Sequence, residues 1–85
     1  MRIIQASIHG RTATIIRGLR GVSVDIALVD GQWYASTRAG WVDEQGWLLV
    51  PGDPGDGSRV TRASAAMRRH AAAALSAARA EGVAA

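Results

Sequence analysis

Residues 22–37, "VSVDIALVDGQWYAST", decide the fold: apolar and polar side chains alternate in two runs joined by Asp30-Gly31. An Asp-Gly pair between alternating runs marks a two-residue hairpin turn, because both central residues must adopt positive φ and these two types do so at low cost. The register follows by counting outward from the turn. Val29 falls opposite Gln32, Leu28 opposite Trp33, Ala27 opposite Tyr34, Ile26 opposite Ala35, Asp25 opposite Ser36 and Val24 opposite Thr37. One face then carries Val22, Val24, Ile26, Leu28, Trp33 and Ala35, and is expected to look inward. The other carries Ser23, Asp25, Ala27, Tyr34, Ser36 and Arg38.

The same counting extends to both sides. Upstream, "IIQASIHGRTATIIRG" accommodates a hairpin around His9-Gly10 that sets Ile4 opposite Ile15 and Ala6 opposite Ala13. The "RGLRG" segment, with Gly18 and Gly21 around Leu19 and Arg20, reads as the connection between hairpins. Downstream, "GWVDEQGWLLVPG" predicts a third hairpin: Asp43 to Gly46 forms a type I turn closed by a left-handed glycine, between strands holding Trp41 and Val42 and then Trp47 to Val50. The fold class expected is α+β, a small antiparallel sheet of five to six strands built as a meander of hairpins and followed by one C-terminal helix.

Pro51 ends the last predicted strand, and the repeated Pro-Gly-Asp triplets that follow form turns. Ser58 is the expected N-cap of a helix over 59–81, terminated by Gly82. Helical spacing puts Val60, Met67, Ala71, Ala74, Leu75 and Ala78 on one stripe and sends Arg62 and Arg69 the other way, with Arg68 near the boundary. The chain is thus expected to form one domain: sheet over 1–50, hinge over 51–58, helix over 59–81 and a tail over 82–85.

Composition sharpens this division. Of 17 alanines in the 85 residues, 12 follow Ser58, whereas 20 of the 24 larger apolar side chains lie in residues 1–50. The core therefore belongs to the sheet. Charge is divided in the opposite sense, about −1 over residues 1–58 and +4 over the remainder, so the net +3 is a property of the helix segment. A chain this short buries only about 60–65% of its unfolded surface and has no cysteine for staples, which favours a homodimer. No apolar run approaches the roughly 18 residues of a membrane span, and the first ten residues lack the apolar length of a signal peptide. No membrane association is expected, and the cytoplasm is the compartment expected.

Each catalytic or ligand-binding constellation lacks its partners. The segment "GDPGDGSR" has no lysine and does not make a phosphate loop, and Asp53 and Asp56 do not supply a calcium loop's oxygens. His9 and His70 have no paired carboxylate and no zinc-ligand spacing. Asp43 and Glu44 are adjacent, which suits a polar hairpin tip rather than paired acid and base. The chain is read as no enzyme, with no catalytic, metal or cofactor residues assigned.

Two kinds of binding fit what remains. Tyr34, Trp41 and Trp47 are candidate anchors for a protein partner, because Trp and Tyr dominate interface energetics and Trp33 already serves the inward face. The alternative is a basic nucleic-acid-binding module in which Arg59, Arg62, Arg68 and Arg69 on the C-terminal helix meet phosphates. No helix-turn-helix, zinc-finger or RNA-recognition signature accompanies those arginines. A protein partner is therefore the favoured expectation. A small regulator or inhibitor of a larger complex, of the kind carried by phages and plasmids, is the role expected.

Overall fold

The computed structural model describes residues 1–38, 40–49 and 62–82. It shows an α+β fold: strands β1 (Arg2–Ile8), β2 (Arg11–Arg17), β3 (Ile26–Val29), β4 (Gln32–Thr37) and β5 (Gly40–Val42), then helix α1 (Ala65–Ala80). The strands form one antiparallel sheet in the order β1-β2-β3-β4-β5, each beside its neighbour in the chain. Short turns explain that order. His9 and Gly10 have φ of 51° and 76°, and Asp30 and Gly31 have 50° and 77°, the paired positive values of the turn whose twist matches a hairpin.

The two expected hairpin registers are the observed ones where the strands persist. Ile4 lies opposite Ile15 and Ala6 opposite Ala13 in the first, and Ile26 to Val29 lie opposite Ala35 to Gln32 in the second. The second ladder is shorter than counting suggested, since β3 begins at Ile26 and Val24 is not paired with Thr37. The Ser36 N–H still donates to the Asp25 carbonyl at 2.9 Å.

The third hairpin is tighter than two full strands. Its return leg touches β5 through a single bridge, Val42 to Leu48, flanked by N–H···O bonds from Asp43 to Trp47 (3.0 Å) and from Leu49 to Trp41 (2.9 Å). The Asp43 carboxylate explains the tightness. Its Oδ1 accepts the N–H groups of Gln45 and Trp47 at 2.8 and 3.0 Å, and Gly46 takes φ of 90° to close the turn. Five strands result among the described residues, the lower of the two numbers expected.

The helix requires a correction. Residues 62–64 are not helical, and α1 begins at Ala65 behind Ser64, whose Oγ accepts the Met67 N–H at 3.2 Å. A helix starting at 59 is thereby shortened, because a serine immediately before an unbroken alanine-rich run provides the cap. The expected cap at Ser58, the start at Arg59 and the hinge over 51–58 lie outside the described residues. At the other end Gly82 takes φ of 77°, the expected terminator geometry.

Apolar side chains gather on both sides of the sheet. On one side α1 lays Ala71 and Leu75, with Met67 and Ala74, against Ile16, Leu19 and Ile26, joined by Ile3, Val22, Leu28 and Trp33. On the other side Ala13, Ile15, Ala27, Val29 and Leu49 form a second buried cluster, with Ile4, Ala6, Ile8, Tyr34 and Trp41 packed around it. A single inward face is therefore incomplete as a description. The reason lies outside the decisive hairpin: β1 and β2 place Ile4, Ala6, Ile8, Ala13 and Ile15 on the second face and only Ile3 and Ile16 on the helix side, and Leu49 returns to that second face.

Candidate functional site

The helix-free side of the sheet is built from rows of residues that adjacent strands place side by side. One row runs Ile4, Ile15, Ala27, Tyr34 by the strand registers. Ser36 is opposite Trp41 in the next row, so the antiparallel alternation carries the Tyr34 row on to Asp43. The Val42 to Leu48 bridge then sets Trp47 opposite Asp43 and Leu49 opposite Trp41. Tyr34, Trp41 and Trp47 thus share one side, with the Asp43 carboxylate between Tyr34 and Trp47. Sequence reading named these three aromatics separately, and register brings them together.

Their exposures differ in a way that matters. Trp41 and Tyr34 are half-buried against the cluster beneath them, whereas Trp47 is 49% exposed and, with Met1, is one of the two exposed large apolar residues among those described. The Tyr34 hydroxyl has its pKa raised above 10.0, first by burial; the Arg11 charge opposes this, and the charges of Asp43 and Asp30 add to it. The phenol is consequently a neutral donor at physiological pH. Around it the charges are largely matched, Arg11 to Asp30 at 2.8 Å and Arg17 to Asp25 at 3.2 Å. These pairs are solvent-exposed and contribute at most about 1 kcal/mol each.

The arginine group is less unified. Arg68 is built into the fold: its Nη1 donates to the Ala63 carbonyl at 2.6 Å and meets Glu44 Oε2 at 3.1 Å, tying the start of α1 to the turn after β5. Arg62 and Arg69 are exposed, and Arg59 lies outside the described residues. Sequence spacing placed Arg68 at the edge of the apolar stripe, which was the available signal for this role. The two histidines remain apart, His9 in the first hairpin turn and His70 on α1, its ring about 4.0 Å from where a side chain on Gly21 would begin. Among the described residues no group of three or more His, Asp or Glu side chains is arranged to hold a metal ion, and no helix is long and apolar enough to cross a membrane.

Searches of protein-family models, curated proteins and solved structures find no match to this chain.

Proposed function

We propose that this chain is a small non-enzymatic binding protein that recognises a protein partner through the helix-free side of its sheet and works as a homodimer in the cytoplasm. The observation that carries the reading is the grouping of Tyr34, Trp41 and Trp47 on one side, with the Trp47 indole substantially exposed. Exposed aromatic anchors concentrate binding energy when a partner excludes water around them. Asp43 and the neutral Tyr34 phenol add one acceptor and one donor to orient the partner. The matching role is regulation or inhibition of a larger complex, in the manner of small phage or plasmid proteins.

The test uses a photo-crosslinking residue installed at position 47 or, as the control, at position 69, followed by affinity measurement with the captured protein. Capture through position 47 together with at least about a 30-fold loss of affinity in Trp47→Ala, corresponding to about 2 kcal/mol, is expected. Salt between about 50 and 200 mM should change that affinity little. The reading gives way to nucleic-acid binding if random duplex or single-stranded DNA binds below micromolar concentration, weakens steeply with salt, and is released by the pair Arg62→Ala and Arg69→Ala.

A further inference from the structure

The two edges of the sheet are finished differently. Beyond β5 the chain itself covers the edge, through the bridge at Leu48 and through the Ala63 N–H, which donates to the Asp43 carbonyl at 3.2 Å. Along β1 no such cover exists among the described residues, for this strand pairs with β2 and nothing else. It is also the kind of edge that invites another strand: seven residues in unbroken register, without proline, lysine or bulge, and with no charge after Arg2.

Hydrogen-bond parity says which groups are available. A two-residue turn makes Ile8 and Arg11 a mutually hydrogen-bonded pair, so Ala6, Ile4 and Arg2 also direct their N–H and C=O groups toward β2. Ile3, Gln5 and Ser7 must therefore direct theirs outward. Those three positions are symmetric about Gln5, and that symmetry identifies the occupant.

We propose that two copies of this chain join antiparallel along β1, about a two-fold axis at Gln5, into one continuous ten-stranded sheet. This rests on the homodimer reading above and assigns it a surface. Ile3 of each copy exchanges hydrogen bonds with Ser7 of the other and Gln5 exchanges them with Gln5, for about six bonds in all. On the helix-free side Ile4 comes opposite Ala6 of the second copy, extending the half-buried apolar row across the axis. Arg2 comes opposite an uncharged Ile8, so like charges do not meet. The Gln5 amides lean back from the axis, because each is bound to Thr14 of its own β2 in two hydrogen bonds of 3.1 and 3.3 Å.

The full chain tests this with light scattering and two variants. Wild-type protein should show about twice the 8.9 kDa chain mass at micromolar concentration. Ser7→Pro removes an outward N–H without touching the ladder to β2, so it should keep the circular-dichroism spectrum and raise the dimer dissociation constant at least tenfold, roughly. In this cysteine-free chain Gln5→Cys should oxidise under a glutathione buffer to a covalent dimer, since paired Cα atoms about 5.5 Å apart lie within disulfide reach. Arg69→Cys, on the helix, should not. A single-chain mass at every concentration up to millimolar overturns both the dimer and its edge. A stable dimer that Ser7→Pro leaves intact, and in which Gln5→Cys crosslinks no faster than Arg69→Cys, overturns the β1 edge while keeping dimerisation. If Ser7→Pro does not fold, the crosslinking comparison alone decides.

Discussion

The two sides of the sheet bury apolar side chains by different means, and the difference separates stability from recognition. On the helix side, Ala71 and Leu75 of α1 join the cluster in which Ile16 and Ile26 are wholly enclosed at 0% exposure, although the helix has little bulk of its own. On the opposite side the cover among the described residues is made by large side chains of the sheet itself, with Tyr34 and Trp41 half-buried against a cluster that includes Leu49. A helix of mostly small side chains presents methyl groups and leaves little to grip. Aromatics standing on a sheet keep area in reserve.

Truncation should break that comparison most clearly at Trp33 and Trp47, one from each side. Trp33→Ala removes a partly buried indole packed against the helix-side cluster and is expected to cost about 2–3 kcal/mol, a sizeable share of the roughly 5–15 kcal/mol typical of a whole domain. Urea denaturation followed by circular dichroism measures it, and a cost below about 1 kcal/mol would mean that the helix does not depend on this face. Trp47→Ala belongs at the other extreme, within about 0.5 kcal/mol of wild type, since half of that side chain already lies in water. A large loss of stability there would make Trp47 a core residue and remove the basis for its role as an anchor.

Between these lies the attachment of the helix. Ser64→Ala deletes the cap that accepts the Met67 N–H and should cost about 1 kcal/mol. Helical signal lost from α1 while the sheet persists would show the two parts to be separable.

The smallest effect is the pH response of the helix-free side. With the Tyr34 pKa raised in the fold, its stabilising contribution is complete below the unfolded value of 10.0 and disappears as pH rises through the higher folded value. Ultraviolet titration of the phenol should accordingly give a midpoint above 10.0. Lowering the Asp43 charge with Asp43→Asn should bring that midpoint down.

How much of this was legible in sequence depended on how local the determinant was. Asp30-Gly31 and His9-Gly10 announced their hairpins because turn geometry and alternation sit within a dozen residues of each other. The second apolar side was missed because its members come from all five strands and from the leg that follows them, and in residues 22–37 it shows only as Ala27, Val29 and Tyr34 among polar neighbours. The meeting of Tyr34, Trp41 and Trp47 was hidden for a related reason: it needs the register of three successive strands, and an error of one residue anywhere would have sent an indole to the opposite side. The start of α1 was misplaced because only Ser58 was read as a cap. Ser58 follows glycine and aspartate as a cap should, but Ser64 is the one in contact with the alanine run.

Because every strand lies beside its neighbour in the chain, the sheet can assemble in the order in which it is synthesised, hairpin upon hairpin, with no long loop to close. The helix that covers Ile16, Ile26, Leu28 and Trp33 follows the whole sheet in the chain. During translation those side chains therefore face solvent until the ribosome has released α1, an interval of a few seconds at typical rates of about 5–20 residues per second. The nascent chain is then a finished sheet with an uncovered oily side, and that is the moment at which a chaperone or a neighbouring nascent copy would find it.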